Sequence, residues 1–174
     1  MRTILLWAIA LLGSALPAGA EIKTIPVVCL TAEIEITAPS AAVWKQLTDG
    51  KNLVTWCPAW KSGKNAAVRL TKVGDTLDFT DAWGNGGRSI VTYFSPEREL
   101  RVAHEPENGS YLCQARVNLS PGGAGTRLAW VERYTDESPE ADRTATATRM
   151  IADMKTTLAT LRARAEATHT GAGR

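Results

Sequence analysis

The chain has 174 residues, with 20 basic and 18 acidic side chains, and it is 44% hydrophobic and 22% charged. Balanced charge and plentiful large apolar residues exclude a disordered chain, and the lack of any Lys/Arg run excludes a strongly basic nucleic-acid binder. What remains is the composition of one globular domain.

Met1-Arg2-Thr3 brings one positive charge, Ile4 to Leu16 is apolar apart from Gly13 and Ser14, and Ala18-Gly19-Ala20 is a small-x-small triplet. That succession reads as a secretory signal peptide cut near Ala20. Its apolar stretch of thirteen residues falls short of the roughly 20 that span a bilayer. Cys29 follows Pro26-Val27-Val28, which lacks the small residue of a lipoprotein cleavage site. Removing residues 1–20 leaves 154 residues with a net charge of +1, enough chain to bury a core without staples. No later segment is apolar enough to cross a membrane, so the expected product is exported, periplasmic or secreted. Cys29, Cys57 and Cys113 all survive cleavage. An odd count leaves two readings open: small buried hydrophobes, or one disulfide beside one free thiol.

Leu30 to Thr37 alternates apolar and polar residues, which predicts a half-buried strand. Ala38-Pro39-Ser40 opens a short helix carrying Val43, Trp44 and Leu47, and Asp49-Gly50 ends it. A second short, irregular helical turn holds Leu53, Trp56, Pro58 and Trp60. Six further strands are then predicted, separated by turn chemistry. They are Ala66 to Leu70, Thr76 to Trp83, Arg88 to Phe94, one around Leu100 to His104, one from Tyr111 to Leu119, and one from Leu128 to Tyr134. Gly84-Asn85-Gly86-Gly87 is a strong hairpin signal because these residues tolerate positive φ. From about Asp142 to Ala167 there is no Gly or Pro, and Ala147, Ile151, Met154, Leu158, Leu161 and Ala165 form one stripe of an amphipathic helix. The domain is therefore set at residues 21–167, with 168–174 expected to fray. An antiparallel sheet must cover its apolar face, and the terminal helix is the only element long enough to do so. A strongly twisted sheet round one helix leaves a space between them, where function is to be sought.

Ile36-Thr37-Ala38-Pro39, Val43-Trp44, Leu47-Thr48-Asp49 and Trp56-Cys57-Pro58 resemble the opening of the polyketide cyclase/dehydrase and lipid-transport superfamily, also called SRPBCC or START-like. Val73-Gly74-Asp75, Phe94-Ser95-Pro96 with Arg98 and Leu100, and Gly125-Thr126-Arg127-Leu128 are similar to its later landmarks. The resemblance runs from about Ala32 to Ala165. It implies an α+β helix-grip fold: a seven-stranded curved antiparallel sheet wrapped round a long C-terminal helix, with two short helices after the first strand. It also implies a deep, largely apolar cavity for lipids, polyketides or other hydrophobic small molecules. The matched motifs are turns and core anchors, so no catalytic role comes with them.

Alternation sets three ionisable groups on otherwise apolar faces: Asp81 between Phe79 and Trp83, His104 beyond Val102, and Glu132 between Trp130 and Tyr134. A charged group facing a low-dielectric cavity must pair, shift its pKa or meet a polar ligand. Asp81, His104 and Glu132 are thus the catalytic candidates; a strand end or a one-residue bulge would instead turn them to water. Trp56, Trp60, Trp83, Trp130 and Tyr134 are candidate aromatic walls. Phe79, Cys113, Ile151, Met154 and Leu158 complete the expected ligand-binding set. A metal needs two or more convergent ligands, and His104 is the one histidine expected in ordered structure, so no metal or other cofactor is expected. Nucleophile-elbow, phosphate-loop, metalloprotease and dinucleotide motifs are missing. The function expected is a monomeric, exported binding protein for a hydrophobic small molecule, without nucleic acid. The alternatives are a cyclase or dehydratase using acid–base residues of the same cavity, or an envelope module that binds a protein partner.

Overall fold

A computed structural model of the protein describes residues 23–61, 67–81, 84–109 and 111–171. The expected signal peptide and Trp83 lie outside them. Strand β1 (Val27–Ile36) is followed by helices α1 (Ser40–Thr48) and α2 (Gly50–Trp56) and a 3-10 turn at Pro58–Trp60. Strands β2 (Thr76–Thr80), β3 (Gly86–Ser95), β4 (Glu99–Pro106), β5 (Cys113–Pro121) and β6 (Thr126–Thr135) come next, and helix α3 (Glu140–Gly171) ends the described chain. The strands form one curved antiparallel sheet in the order β1-β6-β5-β4-β3-β2.

Period-two alternation sets the two faces of that sheet. In β1, Leu30, Ala32 and Ile36 are buried while Thr31, Glu33 and Glu35 are exposed. In β6, Leu128, Trp130 and Tyr134 point inward. The outer face carries exposed ion pairs, such as Arg88 with Glu105 at 2.8 Å and Arg116 with Glu99 at 2.9 Å. Pairs of this kind contribute little stability and mainly keep the outer face wet.

Among the described residues there are six strands, one fewer than expected. The missing one is the expected strand Ala66 to Leu70, of which Ala66 lies outside the described residues and 67–70 form no strand. Arg69 makes only a single bridge with Asp49, the Leu70 amide donates to Thr48 O at 2.7 Å, and the Gly50 amide donates to Val68 O at 2.9 Å. This segment therefore spends its hydrogen bonds on the break between α1 and α2, where backbone groups are left open. Asp49 fixes that break: it ends α1, and its carboxylate accepts from the Lys51 amide at 3.0 Å to start α2. A five-residue apolar-rich run cannot tell a sheet from another open backbone as its partner.

Two turns have a steric explanation. Gly74 has φ +88°, and its amide donates to Val91 O while Asp75 O accepts from the Val91 amide, both at 2.9 Å. Gly125 has no room for a side chain: a Cβ there would stand 2.3 Å from Ile36 O and 2.8 Å from the Ala38 nitrogen. The adjacent Thr126 hydroxyl donates to Ala38 O at 2.8 Å in a buried position. The start of β6 is thus clamped onto the β1–α1 corner. Gly125→Ala is expected to cost about 1–3 kcal/mol by overpacking, read as a lowered urea midpoint with unchanged m-value; an unchanged midpoint would show that the corner yields freely.

Helix α3 has 32 residues, about 48 Å at 1.5 Å per residue. It continues to Gly171, past Ala167 where the sequence pattern ends. Its buried positions begin only at Met154, near the middle of the helix, and continue through Leu158, Leu161 and Ala165. The helix packs mainly on β1 and α1. From Glu140 to Asp153 every position is half-buried or exposed. No helix among the described residues is long and apolar enough to cross a membrane.

Candidate functional site: a cavity under the first half of helix α3

Because the sheet keeps its register, inward residues of successive strands line up in rows. One row runs Leu77, Ser89, His104, Cys113 and Tyr134 from β2 to β6. The neighbouring row runs Val91, Val102, Ala115, Glu132 and Leu30. The second half of α3 covers part of this face, and the first half stands off from it. Between them lies a cavity of about 610 Å³, within the size range of small-molecule sites.

Phe79, His104, Cys113, Trp130, Glu132 and Tyr134 line it from the sheet. Trp60 enters from the 3-10 turn, Asp81 and Asn85 from the β2–β3 turn, and Arg149, Met150 and Asp153 from α3. Residues 135–138, between β6 and α3, form an open rim. Of the expected ligand-binding residues, this space brings together Trp60, Phe79, Asp81, His104, Cys113, Trp130, Glu132 and Tyr134. Five others stand elsewhere or outside the description. Trp56 packs behind Trp130, edge to face at 6.4 Å and 85°, with its indole N–H donating to Gln46 O at 3.2 Å. Met154 and Leu158 are core residues and Ile151 packs against that core, so none of the three reaches the cavity wall. Trp83 lies outside the described residues. The reason for the α3 correction is general: an apolar stripe marks where a helix touches its sheet, and a cavity is where it does not. Arg149, Met150 and Asp153, missed in the sequence, lie beside that stripe and carry no periodic signal of their own.

Phe79 holds its place because its ring lies directly on Gly87; a Cβ there would come within 2.5 Å of the ring. His104 sits between two aromatic rings, 5.3 Å from Trp60 and 6.0 Å edge-on from Phe79. Its Nδ1 is 2.8 Å from the Ser89 hydroxyl, which accepts from the Trp60 indole N–H at 2.9 Å. Burial lowers the His104 pKa from 6.5 to about 4, so the ring is neutral at pH 7.

Glu132 is governed by the same physics with the opposite sign. Burial raises its pKa, and the Cys113 thiol, donating to Oε1 at 3.3 Å, opposes this only in part. Burial also raises the Cys113 thiol, further helped by the carboxylate beside it. A carboxyl whose folded pKa exceeds its unfolded value binds more protons in the native state, so stability falls as pH rises above about 4.5 through the raised value. Glu132→Gln removes that penalty: the variant should melt above the wild type at pH 8 and match it near pH 4. Equal melting temperatures at both pH values would mean that Glu132 is well solvated.

Asp81, expected inside a strand, stands just past the end of β2. Its carboxylate accepts from the Asn85 amide and side-chain N–H, both at 2.8 Å. Two buried polar atoms of the cavity residues, Trp130 Nε1 and Tyr134 Oη, have no hydrogen-bond partner among the described residues. Each such atom costs about 1–3 kcal/mol unless something supplies the missing bond. The cavity therefore combines an aromatic lining, a neutral histidine, a carboxyl with a raised pKa and two unanswered hydrogen-bonding groups. Among the described residues, no group of three or more His, Cys, Asp or Glu side chains is placed to hold a metal, and the three cysteines are all free.

Solved structures share this architecture. Protein MLL2253 from Mesorhizobium loti superposes with a TM-score of 0.62 at 16% identity, over 81% of this chain and 98% of its own. The Aha1 dimer from Colwellia psychrerythraea gives 0.60 at 20% identity, over 80% and 96%. DynU16, a protein of the dynemicin biosynthetic locus, gives 0.63 at 17% identity, over 81% of this chain and 48% of that one. At these identities the likeness is one of fold. No curated protein matches the sequence. The family model described as polyketide cyclase / dehydrase and lipid transport matches residues 27–166. That span takes in the clamped β1–α1 corner, the whole sheet and nearly all of α3, and it places the chain in that family.

Proposed function

We propose that the protein is an exported binding protein that holds a hydrophobic small molecule in the cavity between its sheet and the first half of α3. The observation that carries this reading is the cavity itself: about 610 Å³, open at one rim and walled by Trp60, Phe79, Trp130 and Tyr134. Apolar ligand surface buried there contributes roughly 25 cal/mol per Å² before the entropic cost of binding. Export rests on the N-terminal charge, apolar stretch and Ala18-Gly19-Ala20 triplet. The test is expression with residues 1–20 in a bacterial host, followed by native and denaturing mass spectrometry of the periplasmic protein. A shortened chain carrying an extra mass, lost on denaturation and extractable into organic solvent, is the expected result. A clean apo mass that takes up nothing from a lipid extract counts against the carrier.

One observation favours an acid–base enzyme as the second reading. Neutral His104 and a carboxyl held above its usual pKa share one water-poor space. In that case His104→Ala slows turnover of an aromatic polyketide substrate by about 10²–10⁴-fold while substrate still binds. Unchanged turnover removes this reading.

A further inference from the structure

Charge on the cavity wall runs against that of the whole chain. The chain carries a formal +2, yet the charged lining residues are Asp81, Glu132, Asp136, Glu137 and Asp153 against Arg149 alone. Most of the carboxylates near the rim are answered by the protein. Glu137 pairs with Lys23, Asp136 accepts from the Ser138 amide at 2.8 Å, and Asp81 is held by Asn85. Glu132 is different. Among the described residues it belongs to no ion pair, and its hydrogen-bond partner is a thiol, a weak donor.

Two strand positions along, on the same inward face of β6, Tyr134 is 8% exposed and its hydroxyl has no partner among the described residues. Its ring and those of Trp60 and Trp130 line the same space, and aromatic rings attract cations through their π-faces. His104 stays neutral, so it does not offset the carboxylates.

We infer that the cavity selects a cationic amphiphile, a hydrophobic molecule bearing one protonated amine, with the ammonium against the Glu132 carboxylate and the Tyr134 hydroxyl and the apolar body along the aromatic wall. This rests on the small-molecule binding reading above and narrows it. A protonated amine donates to both oxygens and neutralises the buried carboxylate. A fatty acid would set a further negative charge among five carboxylates, where like charges in a poorly solvated space repel strongly. An alcohol of equal length satisfies Tyr134 and leaves Glu132 unanswered.

The test uses decylamine, decanol and decanoate, titrated at pH 7.5 against the tryptophan fluorescence of the whole secreted protein. Decylamine should bind about tenfold or more tightly than decanoate, with decanol between. In Glu132→Gln the preference for amine over alcohol should collapse while decanol affinity stays unchanged, with a thermal melt confirming the fold. Asp153→Asn, at the exposed rim, serves as a second variant and should weaken decylamine less. Decanoate binding as tightly as decylamine, or a preference that survives Glu132→Gln, overturns the inference and leaves the carrier standing. If none of the three binds, the carrier reading falls with it.

Discussion

Leu158→Ala should lower the unfolding free energy by about 2–5 kcal/mol, whereas Met150→Ala, two turns earlier on the same helix, should cost no more than about 1 kcal/mol. Leu158 is 1% exposed and belongs to the continuous core, so truncation removes its packing and leaves a hole. Met150 is half-buried and borders an existing space, so truncation merely widens that space. Urea unfolding of the two variants, followed by circular dichroism, separates these outcomes. Equal costs would mean that α3 packs uniformly along its length and that the division into a clamped and an overhanging half is wrong. The same division predicts opposite effects on ligand uptake: Met150→Ala alters it in a fully folded protein, and Leu158→Ala acts only through stability.

The second large effect is on pH. His104 has a folded pKa near 4 against 6.5 for the free side chain. Below pH 6.5 the unfolded chain takes up a proton that the native ring refuses. Stability therefore falls as pH drops from 6.5 to 4 and then levels off, by up to about 3 kcal/mol. Glu132 works against this trend, since its raised pKa makes the native state the better proton acceptor above about pH 4.5. The two are separated by the difference between wild type and His104→Gln, measured by denaturant titration at half-unit intervals of pH. That difference should change across the window between 4 and 6.5 and stay flat above 7. A difference independent of pH would place His104 in contact with bulk water.

How far the sequence foretells this site depends on what each pattern records. Alternation records which face of a strand is buried, so Trp130, Glu132 and Tyr134 could be set on one face, and the pairing of β6 with β5 keeps them there. It misleads where another bond competes with the ladder. Asp81 looks like the continuation of β2, but its carboxylate captures Asn85 and turns the chain at Thr80. It slips again between Val91 and Tyr93, where the β3–β4 register shifts and Tyr93 stands 43% exposed. The helical stripe of α3 fixes its contact face and is silent about Arg149, Met150 and Asp153, which overhang the cavity. The state of His104 was beyond reach for a different reason. Its burial depends on Trp60, Phe79 and Ser89, brought from the 3-10 turn, β2 and β3, and no local pattern joins those segments.

The three thiols differ in what a reagent in solution can do with them. Burial pushes Cys57 up to about 12 and raises Cys113 as well, and the thiolate is the reactive form. Cys29 is exposed on the edge strand β1, opposite Arg133 on the outer side of the sheet. At neutral pH a maleimide should thus attach a single dye or spin label to the unmodified native protein. The label would sit outside the cavity, on the far side of the sheet, and leave that space open.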